Sequence, residues 1–109
     1  MARTNRRITA GSGNVFADLN VSGAEEKKTK VQLAVALNQI IAKLGLSQAA
    51  AARALGINQP KISALANYRL DGFSVERLMN FLNAVGRDVE IVIHRARSHK
   101  QPGIRVTAA

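Results

Sequence analysis

Leu46-Ser47-Gln48-Ala49-Ala50-Ala51-Ala52-Arg53-Ala54-Leu55-Gly56-Ile57-Asn58-Gln59-Pro60-Lys61-Ile62-Ser63-Ala64-Leu65 is the stretch on which the reading of this chain turns. Ser47 has the chemistry of an N-cap, since its hydroxyl can take an orphan amide of a helix beginning at Gln48. The alanines that follow favour a helix and let neighbouring helices come close. Gly56 stops it, because glycine enters a left-handed turn without the steric cost of a Cβ. Ile57 plugs the turn, and Asn58 can cap a further helix from Gln59 to about Asn67. Pro60 falls in that helix's first turn, where a missing N–H does no harm. Ile62 and Leu65 are its inward positions, with Ala66 a candidate third; Gln59, Lys61, Ser63 and Asn67 are left for the outer surface. Two short helices joined by a tight glycine turn, with polar residues opening the second, form the layout that lays a helix in the major groove of DNA.

Upstream, Ser22-Gly23-Ala24-Glu25 has capping-box spacing, with Ser22 as N-cap and Glu25 three residues on. A long helix is expected beyond it, burying the stripe Leu33, Leu37, Ile40, Ile41 and Leu44 and ending at Gly45. Downstream, Arg69-Leu70-Asp71-Gly72 reads as a turn. Phe73 and Leu78 around Ser74 match a hydrophobic staple, and the helix after them is expected to bury Val75, Leu78, Met79, Leu82 and Val85 before Gly86. Val89-Glu90-Ile91-Val92-Ile93 is β-branched at every position but one and reads as a single strand. Unless the amino segment or the tail supplies a mate, a second copy of the chain is the simplest one, by antiparallel pairing about a two-fold axis. Val89, Ile91 and Ile93 are then the dimerisation residues. The expected organisation is a basic arm and lead-in at 1–21, a helical domain at 22–86, a dimerisation strand at 87–94 and a basic tail at 95–109. In the lead-in, Phe16 and Leu19 are either laid against the domain or part of a loose arm. In the tail, Gln101-Pro102-Gly103 reads as a turn before the weakly strand-like Ile104-Arg105-Val106-Thr107.

The 109 residues allow one compact domain with extensions. With 47% hydrophobic but only 4% aromatic residues, the core must come from alanine and leucine, which points to closely packed helices. Cysteine is absent, which excludes disulfides, cysteine zinc sites and thiol nucleophiles. No apolar run approaches the roughly 18 residues of a membrane span, and the basic amino end lacks the apolar stretch of a secretory signal. A cytoplasmic protein without a membrane partner is expected. The formal net charge is +9. It is concentrated at the ends: residues 94–109 carry four basic groups and no acidic one, against six and four over residues 31–93. A basic body with more basic ends favours a polyanion through counterion release.

On a DNA-reading helix, glutamine and asparagine can pair with adenine, and lysine can donate to guanine. Gln59 and Lys61 are the candidate base readers, and Ser63 and Asn67 are suited to either base or phosphate. Gln48, in the first turn of its helix, is placed to hold a phosphate beside backbone amides, and Arg69 to reach a flanking one. Arg53 either touches phosphate or simply solubilises its helix. The plainer alternative is a helical bundle whose polar residues are only a solvated face.

With Ser47-Gln48, Ala51, Leu55-Gly56-Ile57, Gln59, Ile62-Ser63 and Leu65 in place, the chain resembles the lambda-repressor-like (Cro/CI, or XRE) helix-turn-helix family. Its flanks are similar to those of HigA-type antitoxins of bacterial toxin–antitoxin operons. The matching pieces are Gly13-Asn14-Val15-Phe16-Ala17-Asp18-Leu19, Gln59-Pro60-Lys61-Ile62-Ser63, Gly72-Phe73-Ser74, and the closing run from Asn83 to Ile93. The resemblance spans roughly residues 13–93 and implies an all-α domain of four or five helices, with the carboxyl-terminal strand paired across a homodimer. It also implies binding to palindromic, double-stranded operator DNA, repression of its own operon, and neutralisation of a RelE/HigB-like toxin. Gln48 matches the family's backbone-clamping glutamine; Gln59, Lys61 and Ser63 match its base-facing region, and Asn67 and Arg69 the backbone-touching segment after it. Ala50 departs from the glutamate or glutamine common there, which removes a capping box but leaves the Ser47 cap.

The leading expectation is therefore a repressor and antitoxin needing no cofactor or metal. A solitary regulator of the same family, or a helical protein-interaction module, stands as the alternative. An enzyme is disfavoured. His94 and His99 lack acidic or cysteine companions, and neither the Asp71/Glu76 nor the Asp88/Glu90 pair has an apolar cleft predicted around it to tune acid–base behaviour.

Overall fold

Four helices follow one another among the described residues: α1 (Gly23–Lys43), α2 (Gln48–Leu55), α3 (Gln59–Ala66) and α4 (Val75–Ala84). The computed structural model describes residues 23–96 and 101–108. The arm and lead-in with Phe16 and Leu19, the Ser22 cap and His99 lie outside them.

Each boundary has a local chemical cause. Ser47, Asn58 and Ser74 stand in extended backbone before α2, α3 and α4, and their side-chain oxygens accept from the amides of Ala50, Lys61 and Arg77 at 2.9–3.1 Å. Each such cap stabilises its helix by about 1 kcal/mol. At the other end all four helices close alike. The N–H of Gly56 donates to Arg53 O and that of Ile57 to Ala52 O, with Gly56 at φ +70°. Gly45 and Gly86 repeat this pair of bonds after α1 and α4. After α3 the left-handed residue is Tyr68, at φ +58°, with its N–H on Leu65 O and that of Arg69 on Ala64 O. An L-residue pays roughly 1–2 kcal/mol for that conformation, so the two hydrogen bonds and the packing around the turn must hold it.

α1 packs on α4 and α3, while α2 packs on α3 and α4, around one core. Leu37 of α1, Leu65 of α3 and Leu78 of α4 are fully buried at its centre. Ala34, Ala36, Ala51 and Ala52 are buried around them, where their small side chains allow the close approach the composition implied. One polar tie crosses this core: Asn38 Nδ2 donates to Leu65 O at 3.1 Å, fixing the end of α3 to the middle of α1.

Several sequence expectations need correction. Leu44 is 51% exposed; it lies past the last residue of α1, and Leu46 takes the apolar place beside the closing turn instead. Ala66 is exposed rather than inward; it is the last residue of α3, where the chain leaves the helix for the turn at Tyr68. Met79 and Val85 are half-buried, whereas Phe81 is fully in the core, edge-on to Phe73 with ring centroids 5.8 Å apart. The segment Val89–Ile93 forms no ladder among the described residues. Val89 touches the core, while Ile91, Val92 and Ile93 are 74%, 60% and 83% exposed. A lone strand has nothing to exchange backbone hydrogen bonds with. Residues 101–108 form no strand either, but Val106 rests on the core's edge and its N–H donates to Gln32 Oε1 at 3.1 Å.

Two substitutions test this account by urea unfolding. A Cβ on Gly56 would meet no atom within 4 Å, so Gly56→Ala should cost only the backbone penalty, about 1–2 kcal/mol, and Gly56→Asn clearly less. Asn38→Ala should cost about 1–2 kcal/mol, because a part-buried carbonyl loses a partner; no loss would mean the tie is not needed.

Candidate nucleic-acid interface

α3 is held by Ile62 and Leu65, both buried. Their positions set which arc of the helix faces outward. At about 100° per residue, the direction opposite Ile62 and Leu65 falls on Pro60 and Asn67, with Ser63 and then Gln59 to one side. Gln59, Pro60 and Asn67 are exposed, while Ser63 and Ala64 are half-buried. Gln59, Ser63 and Asn67 therefore share one side of the crest. Pro60 at its middle was missed as a candidate, since it carries no hydrogen-bonding side chain; Ala64 packs against the core instead. Pro60 offers an apolar surface of the kind that meets a thymine methyl.

Lys61 does not lie with them. It emerges on the opposite flank of α3, towards α4. Its Nζ sits 5.2 Å from the centroid of the Phe73 ring and donates to Gly72 O at 3.5 Å. The two expected base readers, Gln59 and Lys61, thus diverge around the helix. The expected staple explains the direction: Phe73, buried before the N-cap Ser74, presents a ring face to the lysine. Arg77 lies over the same ring at 5.7 Å and over Phe81 at 5.4 Å. The start of α4 thus gathers two cations on a pair of aromatic rings, each contact worth about 0.5–1 kcal/mol where exposed. Arg77 was not singled out from the sequence; its place one turn from Phe73, four residues on, was the available signal.

The other candidates sit at helix ends. Gln48 is the first residue of α2 and exposed, beside amides that lack partners within the helix. Asn67 ends α3 and turns its Nδ2 back to Ser63 O at 2.9 Å, leaving its side-chain oxygen outward as an acceptor. Arg69 follows Tyr68 and is exposed, as is Arg53 on α2. Tyr68 itself shares a shallow groove with Lys27, Lys30, Val31 and Leu70. Among the described residues no three His, Asp or Glu side chains converge as a metal site would require, and no helix is long and apolar enough to cross a membrane.

A family model described as a helix-turn-helix domain matches residues 15–94. A solved structure described as an XRE family transcriptional regulator is 61% identical; the match covers 81% of this chain and all of that one, with a TM-score of 0.78. The chain belongs to the XRE family of helix-turn-helix proteins. No protein of curated function matches the sequence. The family model runs through α1 to α4 and on through Ile93, so it includes the exposed apolar segment as well as the helices.

Replacing Phe73 with leucine should keep the position apolar while removing the edge-on ring pair and both cation contacts. Thermal or urea unfolding should show a loss of about 1–2 kcal/mol, and Lys61 should become more reactive towards acylating reagents. Unchanged reactivity would show that the ring does not hold the lysine.

Proposed function

We propose that this XRE-family chain is a homodimeric repressor that reads palindromic operator DNA through α3, and that it is the autoregulating antitoxin of a type II toxin–antitoxin pair in the cytoplasm. The observation that carries the DNA reading is the crest of α3. Gln59, Pro60, Ser63 and Asn67 form one outward arc on a helix fixed from beneath by Ile62 and Leu65. In this reading Gln59 pairs with a base edge, Ser63 and Asn67 add hydrogen bonds, and Pro60 accommodates a thymine methyl. Lys61, drawn to the α4 side by Phe73, meets the sugar–phosphate backbone there. Gln48 and Arg69 hold phosphates on either side of the groove. Repression follows from occupancy, and no bond of the DNA changes.

The dimer reading rests on Ile91, Val92 and Ile93, whose apolar side chains are exposed and whose backbone joins no ladder among the described residues, as suits a second copy pairing antiparallel with Val89–Ile93. Two α3 helices related by that axis would enter half-sites whose centres lie one helical turn, about 34 Å, or a multiple apart. The antitoxin role rests on the likeness of the flanks, Gly72-Phe73-Ser74 and Asn83 to Ile93 among them, to HigA-type antitoxins; a RelE/HigB-like toxin is the partner it implies.

Selection of random duplexes by the protein should yield a palindromic consensus. Gln59→Ala should relax one position of each half-site, at about 1–3 kcal/mol, while Lys61→Ala should weaken all sequences alike and lower the salt slope by about 1. Salt-dependent binding without any consensus would reduce the function to charge. Co-expression with a small basic RNA-cleaving protein encoded beside it should relieve that protein's toxicity. Failure to do so would leave a solitary regulator.

A further inference from the structure

The start of α4 holds a charge that the reading of α3 does not use. The Arg77 guanidinium lies over two rings, 5.7 Å from the centroid of Phe73 and 5.4 Å from that of Phe81. Both rings are buried and meet edge-on, so the support beneath the guanidinium is part of the core. Lys61 Nζ stands 5.2 Å from the same Phe73 ring. Gly72 leaves room for it, since a Cβ there would come within 3.0 Å of that ammonium. Two cations from different helices are thus set against one side chain.

Neither cation is neutralised by the protein. Among the described residues neither forms an ion pair, although Asp71 and Glu76 are close by in the chain. The Arg77 backbone N–H donates to the Ser74 cap, but its half-buried guanidinium donates no hydrogen bond among the described residues. Like charges held on one ring repel, and an anion that meets both relieves the repulsion. A guanidinium lying on aromatic faces keeps its donors at its edge, where an acceptor with several oxygens can use them. The amino end of α4 adds positive potential at the same place.

We propose that Arg77 holds a backbone phosphate of the bound duplex, beside the one met by Lys61, so that α4 joins the DNA interface. This rests on the reading of α3 given above. Lys61 sets the direction: it leaves α3 on the flank facing α4, so a strand that meets it passes the start of α4. DNA is favoured over an acidic protein because Lys61 belongs to the helix whose crest meets base edges. The Arg77 contact carries no base information; it fixes the angle at which α3 enters the groove. Because its support is two core rings rather than a loop, that angle is set before the duplex arrives.

Arg77→Met and Arg77→Gln both remove the charge, and the methionine keeps an unbranched, polarisable chain over the rings. Arg77→Lys restores the charge, and Lys28→Ala removes an exposed one from α1 as the control. Binding to the selected duplex and to a scrambled one is measured across a salt series, after circular dichroism shows each variant folded. Arg77→Met should lower the salt slope by about 1 and weaken binding about fivefold at roughly 0.15 M salt, for both duplexes alike. Arg77→Lys should recover the slope, and Lys28→Ala should leave it unchanged. If Arg77→Met and Arg77→Gln keep the wild-type slope while Gln59→Ala still relaxes the consensus, the Arg77 assignment is wrong and the reading of α3 stands. The cation pair would then belong to a carboxylate-bearing protein partner. If no consensus is selected and Lys61→Ala leaves the slope unchanged, the reading of α3 fails and the assignment falls with it.

Discussion

The left-handed backbone at Gly56 is the constraint on which the rest of this molecule depends. It ends α2 and turns the chain within two residues, so that Asn58 can cap α3 at once. With Ile57 pressed against the core and Ile62 and Leu65 beneath α3, the second helix has little freedom about its axis. That axis decides which side chains form the crest. A recognition helix needs this property, because hydrogen bonds to base edges tolerate only small misplacement. The polar tie from Asn38 to Leu65 O fixes the far end of the same helix. α3 is therefore anchored at its start by a cap, along its length by apolar burial and at its end by an amide.

Charge and packing are arranged around this anchored helix with little redundancy. Phe73 fills the corner between α3 and α4, and the same ring receives Lys61 and Arg77. A core residue thereby positions two cations that remain available to a polyanion. The arrangement joins stability and function in one side chain, so the geometry of the flanking cations follows from the core rather than from a loop.

The helices were legible in the sequence because their ends are chemically marked. Ser47, Asn58 and Ser74 cap as their residue types require, and three of the four closures use glycine. The closure at Tyr68 was not legible, since an aromatic residue gives no sign of left-handed backbone. The direction of Lys61 was hidden for a related reason. Spacing along α3 gives the arc a residue occupies, but the pull of Phe73, twelve positions later, is a tertiary effect. Phe81 was missed because polar neighbours at Asn80 and Asn83 obscured the stripe. The Val89–Ile93 segment shows the limit most plainly: its residue types suit a strand, but a strand exists only with a partner, and none pairs with it among the described residues.

Tyr68 has one further consequence, an optical one. The chain holds a single tyrosine and no tryptophan, so beyond the weak fluorescence of its three phenylalanines its ultraviolet emission comes from the residue that closes α3. That ring is half-exposed, beside Lys27 and Lys30 and next to Arg69. Its environment changes whenever the closing turn relaxes or a strand of nucleic acid comes near. The protein thus carries an intrinsic spectroscopic reporter at the end of α3, readable without any label.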